Sequence, residues 1–152
     1  MDESLSSVQP MTPAEPLEIV AARGPLSGCH VLVIDDDEAA RQVLRLVLED
    51  EGATVAAVGS GPDGLAEIDR QPPDVLLVDI GMPAVNGFDF VEQVRKMPNS
   101  SSRIPAAALT GYISSHDRAR AAQVGFQDYL VKPVDPTDLV RTIKTLVAIR
   151  PT

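Results

Sequence analysis

The sequence predicts a doubly wound α/β fold, in which a five-stranded parallel sheet lies between two layers of helices. Short apolar runs alternate with amphipathic segments from residue 30 onward, and the alternation occurs five times. Right-handed crossover connections leave few topologies for such a pattern. The chain has 152 residues, enough for one domain with a full core, and its 3% aromatic content predicts an aliphatic core.

Each predicted strand is a short, continuous apolar run, as burial on both faces of a parallel sheet requires. In chain order the runs are HVLVID (30–35), ATVAAV (53–58), DVLLVD (74–79), IPAAALT (104–110) and DYLVK (128–132). The first and the third end in an acidic residue, so a charge stands at the end of a buried strand.

Helical periodicity follows every strand, near residues 37–51, 62–71, 87–97 and 113–124 and again from residue 135. Glycines are the stop signals of the first and fourth helices, and Asp135 with Pro136 is a typical helix start. The apolar stripes of the first and last helices are predicted to face the core: Ala40, Val43, Leu44, Val47 and Leu48 in one, and Leu139, Val140, Ile143, Leu146 and Val147 in the other.

The beginning of the chain differs from the rest. Residues 1–27 are predicted to be a flexible leader or interdomain linker, because they are rich in proline and serine, and residues 28–150 are predicted to be the folded domain. The leader contains a short apolar stretch, LEIVAA (17–22). Whether this stretch docks on the domain surface is not decided by the sequence.

Composition excludes several classes of function. The net charge of −9 argues against a general affinity for nucleic acid or for an anionic membrane. No apolar stretch approaches the length that spans a bilayer, and the acidic N-terminus is unlike a signal peptide. The single cysteine, Cys29, rules out an internal disulfide and fits a reducing compartment. The predicted location is therefore the cytoplasm.

Acidic, hydroxyl and ammonium groups stand at the carboxyl ends of four predicted strands: Asp35, Asp36 and Asp37 at the first, Asp79 at the third, Thr110 at the fourth and Lys132 at the fifth. These ends form one rim, where such sheets bind ligands. Two carboxylates about 4 Å apart repel by about 4 kcal/mol at an effective dielectric constant of about 20. The crowding predicts a bound cation, and Mg²⁺ suits a few carboxylates and several waters.

Such a rim is suited to holding a phosphoryl group, with Asp79 as the candidate nucleophile that forms an acyl phosphate. Each residue alone has a plainer interpretation. Asp37 and Glu38 are better explained as helix-capping acids, and a lysine before proline is usually a surface residue. The joint occurrence of these groups on one rim favours the phosphoryl site.

Four segments carry a resemblance to a known family: VLVIDDDEAAR (31–41), PDVLLVDIGMPAVNGFDF (73–90), AALTGY (107–112) and GFQDYLVKPVD (125–135). In type, order and spacing they resemble the receiver domain of bacterial two-component response regulators. LTGY and VKPVDP look especially like receivers attached to hybrid sensor histidine kinases. The resemblance implies a flavodoxin-like sheet with the strand order 2-1-3-4-5.

The resemblance also implies a metal site. Asp36 and Asp79 would bind Mg²⁺ or Mn²⁺ directly, and the backbone carbonyl of Gly81 would be a third ligand. Asp35 would act mainly through a metal-bound water.

The remaining implied roles concern the phosphoryl group and its effects. Asp79 would be the phosphoacceptor, Thr110 and Lys132 would hold the phosphoryl oxygens, and the Lys132–Pro133 peptide would be cis. Thr110 and Tyr129 would be the switch residues that respond to phosphorylation.

The lifetime of the phosphoryl group is expected to depend on the residues two positions after Asp79 and Thr110, which are Gly81 and Tyr112. Family members that hydrolyse quickly tend to carry polar side chains there. Gly81 offers none, so we predict slow to moderate self-dephosphorylation.

The implied function is a phosphorylation-activated signalling switch rather than an enzyme. Its implied donor is a histidine kinase or a phosphotransfer protein in a phosphorelay. A downstream protein would bind through the fourth helix, fifth strand and fifth helix. Direct binding to nucleic acid or to a membrane is not expected, and a weak homodimer stays open, as does the choice between a stand-alone regulator and part of a larger chain.

Two other functions fit the sequence less well. A Mg²⁺-dependent phosphatase with an aspartyl-phosphate intermediate requires a second acid two residues after the nucleophile, and this chain has Gly81 at that position. A dinucleotide-binding domain wants G-x-G-x-x-G after the first strand, where this chain has acids that would repel a pyrophosphate.

Overall fold

The computed structural model describes residues 24–81, 87–111 and 114–149. Within these ranges five parallel strands form one sheet in the predicted order, β2-β1-β3-β4-β5. The strands are β1 (His30–Ile34), β2 (Thr54–Val58), β3 (Val75–Asp79), β4 (Ala106–Thr110) and β5 (Asp128–Val131). The helices are α1 (Glu38–Asp50), α2 (Gly61–Arg70), α3 (Gly87–Arg95), α4 (Ser115–Val124) and α5 (Pro136–Ile149), and a short 3₁₀ helix (Ser100–Arg103) precedes β4.

Helices cover both faces of the sheet, as the doubly wound prediction requires. Successive residues of a strand point to opposite faces, so Val31 and Val33 of β1 join one core and Leu32 and Ile34 join the other. The first core also contains buried residues of α1 and α5. The second contains residues of α2, α3 and α4, including Phe90. The fold is therefore a three-layer αβα arrangement.

The strand order sets the position of the polar rim. β1 and β3 are neighbours at the centre of the sheet, with Ile34 opposite Val78, so the segments that follow them lie side by side. β4 and β5 are also neighbours, with Thr110 opposite Val131. The carboxyl ends of these four strands meet at one edge, where the order of the strands reverses along the chain.

Side-chain caps fix the starts of several helices. Asp37 accepts a hydrogen bond from the backbone N–H of Ala39 at 3.0 Å, which confirms its interpretation as a capping acid of α1. Asp135 accepts one from Thr137 at 2.7 Å at the start of α5. Gly125, with φ of 111°, ends α4 in the left-handed region, where glycine is favoured.

Two members of the predicted apolar stripes do not face the core. Val43 of α1 is 59% exposed and lines an open groove beside α5, and Val147 of α5 is 36% exposed. Contact with the sheet is narrower than the apolar stripe of each helix, so residues at the stripe's edge remain in solvent. On α5 the partly polar Thr142 is buried instead.

The packed part of the chain extends to Leu26, two residues before the predicted start of the domain. Its side chain is 2% exposed within the first core, and its backbone N–H donates to the carbonyl of Glu51 at 2.9 Å. Gly24 lies so close to the same carbonyl that a Cβ would clash with it. Residues 1–23, most of the predicted leader, lie outside the described residues, so its flexibility stays a prediction.

Cys29 is buried, and burial together with the charge of Asp74 raises the pKa of its thiol to about 11. A thiol of this kind is almost wholly protonated at neutral pH and is a poor nucleophile, as expected of a structural residue. Among the described residues, no helix has both the length and the apolar character needed to cross a membrane.

Candidate functional site

The predicted site residues meet at the edge of the sheet where the four strands end. Asp35 is wholly buried, Asp79 is 8% exposed, and Thr110 is buried at the end of β4. The ammonium of Lys132 lies 2.7 Å from Oδ2 of Asp35 and 3.4 Å from Oδ2 of Asp79. The contacts join residues 97 and 53 positions apart in the chain, so the topology of the sheet creates this cluster.

Asp35 has both carboxylate oxygens engaged. Oδ1 accepts a hydrogen bond from the backbone N–H of Asp37 at 2.9 Å, and Oδ2 accepts one from Lys132. These bonds offset the cost of burying the charge, which is large for a carboxylate without partners. With its oxygens occupied in this way, Asp35 is better placed to orient its neighbours than to give an oxygen wholly to another ligand.

Asp79 ends β3, and the turn that follows bends back toward its side chain. The backbone N–H of Gly81 donates to Oδ1 at 2.8 Å. Burial raises the pKa of Asp79, and the Gly81 hydrogen bond and the charge of Lys132 oppose this effect without cancelling it. The carboxylate is therefore poorly solvated in the absence of a further cation, which favours both metal binding and reaction as a nucleophile.

Lys132 places a positive charge beside the two buried acids. Burial lowers its pKa, but the hydrogen bond with Asp35 and the charges of Asp79 and Asp35 outweigh burial, so the pKa lies above its ordinary value. The ammonium therefore remains charged throughout the physiological range. One ammonium between two carboxylates leaves the cluster with a net negative charge.

Asp36 completes an acidic group that fits a divalent cation. One carboxylate oxygen from each of Asp35, Asp36 and Asp79 lies within 4.8 Å of the other two. Asp36 is exposed, so water reaches the group from that side. Hard oxygen ligands with an open, hydrated side suit Mg²⁺ or Mn²⁺.

The predicted switch residues lie on adjacent strands. Tyr129 of β5 is opposite Ala108 of β4, two residues before Thr110. Its half-buried ring packs against the second core, and the guanidinium of Arg118 in α4 lies 4.9 Å from the ring centroid. Tyr129 therefore lies next to the strand that carries Thr110 and also contacts α4, and its ring is partly exposed.

The structure also bears on the other residues predicted for the site. The Lys132–Pro133 peptide is cis, which confirms the expectation. Gly81 is exposed, and a Cβ there would be in ordinary contact with Asp79 Oδ1 at 3.4 Å. Tyr112 lies outside the described residues, so its role stays a prediction.

Gly87 is a residue of the site that the sequence analysis did not single out. A Cβ at this position would lie 2.6 Å from the backbone oxygen of Asp79, 2.8 Å from Cγ1 of Val78 and 3.0 Å from Cα of Ile80. The first turn of α3 is therefore packed directly against the end of β3. In the sequence Gly87 is simply one glycine of the segment 73–90, and a glycine alone does not reveal a contact of this kind.

Replacing Gly87 with alanine is expected to lower the free energy of unfolding by about 2 kcal/mol, because rigid backbone atoms must move to admit the methyl group. Urea denaturation measures the change. Gly111→Ala is the matched control, since a Cβ there meets nothing within 4 Å. Equal stability of the two variants would contradict the close packing of α3 on β3.

Arg41 is a second residue near the site that the sequence analysis did not single out. Its guanidinium donates to the backbone carbonyl of Asp35 at 2.8 Å and so holds the end of β1 to α1. In the sequence this arginine is part of a charged helix face, with nothing to distinguish it from a solvated residue.

Comparison with known proteins agrees with this geometry. Residues 31–144 match the family described as response regulator receiver domain. An uncharacterized 14.6 kDa protein from Leptolyngbya boryana is 41% identical over 119 residues, which are 78% of this chain and 90% of that protein.

Two solved structures are similar over most of the chain. The chemotaxis protein CheY4 of Vibrio cholerae is 32% identical with a TM-score of 0.74, covering 78% of this chain and 98% of that one. The receiver domain of sensor histidine kinase PA1611 from Pseudomonas aeruginosa PAO1, solved with a magnesium ion in its active-site cleft, is 28% identical with a TM-score of 0.72 over 80% and 98% of the two chains.

The strand order, the acidic rim with its lysine and the match over residues 31–144 lead to one conclusion. The chain belongs to the response regulator receiver domain family, whose members are phosphorylation-activated signalling domains.

Proposed function

We propose that Asp79 is the residue that accepts the phosphoryl group. An oxygen of its carboxylate attacks the phosphorus of a phosphohistidine on a histidine kinase or phosphotransfer protein. The phosphorus–nitrogen bond breaks as the phosphorus–oxygen bond forms, and the imidazole leaves with the electron pair. The observation that carries the proposal is the position of Asp79, poorly solvated at the end of β3, with Lys132 3.4 Å from its Oδ2.

The residues around Asp79 are proposed to bind a magnesium ion. Asp36 and Asp79, with the backbone carbonyl of Gly81, would hold Mg²⁺ directly, and Asp35 would act through a water. When bound, the ion neutralises charge that develops on the phosphoryl oxygens. The support is the group of three carboxylates and the bound magnesium of the PA1611 receiver domain.

Lys132 and Thr110 are proposed to hold the phosphoryl oxygens. The ammonium of Lys132 already lies between Asp35 and Asp79, so it meets the new negative charge without a large movement. Thr110 ends β4 beside this cluster, where its hydroxyl suits a hydrogen bond to a phosphoryl oxygen.

Phosphorylation is proposed to act on partners through Thr110 and Tyr129. The phosphoryl group adds a charge of about −1.5 to −2 at neutral pH. Movement of Thr110 toward it alters the packing beneath Tyr129, and this changes the surface formed by α4, β5 and α5, where a downstream protein binds. The support is the placement of the two residues on adjacent strands and on the same face of the sheet, since Tyr129 is opposite Ala108, two residues before Thr110.

We also propose that the protein acts in the cytoplasm. A cytoplasmic phosphorelay fits a protein with a single buried thiol. The similarity to the receiver domain of a sensor histidine kinase supports a role beside a hybrid kinase. A phosphatase is not proposed, because Gly81 has no side chain to act as the general acid.

The test is incubation of the protein with acetyl phosphate, with and without Mg²⁺, followed by intact-mass measurement. We expect the mass of one phosphoryl group to be gained only with Mg²⁺, and peptide mapping to place it on Asp79. Uptake that is equally fast in EDTA, or that maps to another residue, would overturn the proposal.

The phosphorylated protein is expected to have a half-life of minutes or longer, because Gly81 places no side chain near the water that attacks the phosphoryl group. Gly81→Asn should shorten the half-life severalfold, since a Cβ at this position lies 3.4 Å from Asp79 Oδ1 and fits without a clash. The decay is followed by intact mass after removal of acetyl phosphate. A half-life of seconds in the wild type would refute this prediction.

A further inference from the structure

An open groove runs between α1 and α5 beside the acidic rim. One part, of about 520 Å³, is lined by Glu51 after the end of α1 and by Val140 and Lys144 of α5. A second part, of about 290 Å³, adjoins it at Pro136 and runs along α1 to Lys132. The groove therefore extends from the end of α1 to the edge of the acidic rim.

The second part of the groove has largely aliphatic walls, whereas in the first part Val140 is surrounded mainly by polar side chains. Val43, which the sequence analysis expected in the core, is 59% exposed and lines the second part together with Val47 and Val134. Leu46 is also exposed on α1, at 67%, but does not line the groove. An exposed aliphatic lining of this kind is stabilised when an apolar segment covers it.

The described part of the chain begins beside this groove. Gly24 packs against the carbonyl of Glu51, and Leu26 donates its N–H to the same carbonyl. Pro25 and Leu26 also line a smaller cleft with Lys144 of α5. The residues that precede Gly24 in the chain therefore start next to the groove.

The segment before Gly24 has a suitable length and composition. LEIVAA (17–22) contains three strongly aliphatic residues and two alanines among its six positions, and Glu18 is its one charge. Seven extended residues span up to ~24 Å. The groove wall from Glu51 back to Val43 is eight helical positions, or ~12 Å. The segment is therefore long enough to follow the groove from Glu51 past Val43.

We propose that residues 17–22 bind in the groove between α1 and α5, with their aliphatic side chains against Val43 and Val140. The leader is chosen over other occupants because it is covalently joined at the groove's end, which gives it a high effective concentration there. Bound in this way, it covers one flank of the acidic rim up to Lys132. The inference does not depend on phosphorylation.

The test uses isotope-labelled full-length protein and three chains: the wild type, Val43→Glu and Leu46→Glu. Heteronuclear NOE values and hydrogen exchange are measured for the amides of residues 17–22. In the wild type and in Leu46→Glu we expect NOE values close to those of the helices. In Val43→Glu we expect values close to those of residues 1–10 and exchange about tenfold faster, the scale of one aliphatic contact after ordering costs.

A complementary pair changes the leader instead. Ile19→Glu should shift the methyl resonances of Val43 and Val140, whereas Val8→Glu, outside the apolar stretch, should not. Leader amides that are equally mobile in the wild type and in Val43→Glu would overturn the proposal. Signals that change on dilution would also overturn it, because the groove would then be occupied by a second copy.

Discussion

Asp79→Asn is expected to take up no phosphoryl group from acetyl phosphate and Mg²⁺, a loss of more than ~100-fold relative to the wild type. The amide of asparagine has no anionic oxygen to attack phosphorus, and the loss of a covalent nucleophile is not replaced by its neighbours. Intact-mass measurement over a time course gives the rate for each protein.

The matched control is Asp37→Asn. Asp37 lies at the same rim but caps α1, and asparagine is as good a capping residue as aspartate. We therefore expect its stability and its phosphoryl uptake to equal those of the wild type. Uptake by Asp79→Asn at the wild-type rate would mean that another acid of the rim is the acceptor.

The loss in Asp79→Asn should not come from unfolding. Burial raises the pKa of Asp79 above its unfolded-state value. The protonated side chain therefore stabilises the folded state fully below the unfolded-state pKa, and this stabilisation is lost as pH rises through the folded-state pKa. At neutral pH the ionised group therefore destabilises the metal-free protein. Asparagine removes this charge, so in urea denaturation with EDTA we expect the free energy of unfolding to be no lower than that of the wild type.

The pattern of buried strands made the fold predictable from the sequence. A parallel strand covered on both faces must be a continuous apolar run, and all five runs were visible, from HVLVI to DYLV. The site was predictable for a related reason. Once the strands are parallel, the residues after them share one rim, so Asp35, Asp79 and Lys132 meet although they are far apart in the chain.

Contacts that depend on three-dimensional packing were not predictable. Nothing in the sequence distinguishes Arg95, at the end of α3, from a solvated arginine, yet its guanidinium donates to the carbonyls of Ile104 at 2.7 Å and Gly125 at 2.7 Å. It holds the turn before β4 to the end of α4. No local pattern encodes such a bond, because its acceptors are backbone atoms, which every residue possesses.

The extent to which the sheet covers each apolar stripe was not predictable either. Periodicity shows which residues share a face, but not how much of that face the sheet covers. Val43 and Val147 lie on the correct side of their helices and remain exposed because the grooves beside α5 are open. Which apolar residues of a stripe are left uncovered is therefore visible only in the structure.

Lys132→Met is expected to lower the free energy of unfolding by about 3 kcal/mol in metal-free buffer, because it leaves the wholly buried Asp35 and its neighbour Asp79 without their ammonium. Methionine keeps the length and the apolar stem of the side chain. Urea denaturation with EDTA measures the effect. Lys96→Met is the control, since Lys96 is an exposed lysine away from the rim, and its change should be within ±0.5 kcal/mol.

The origin of the loss can be tested in two ways. Mg²⁺ should stabilise Lys132→Met more than the wild type, because it supplies the missing positive charge, and the loss should shrink as pH falls and Asp79 takes up a proton. In a double-mutant cycle, Lys132→Met should cost much less in an Asp35→Asn background, since the buried charge is then absent. If Lys132→Met costs the same in both backgrounds, the lysine stabilises the rim by packing alone, and the electrostatic basis of the metal site is wrong.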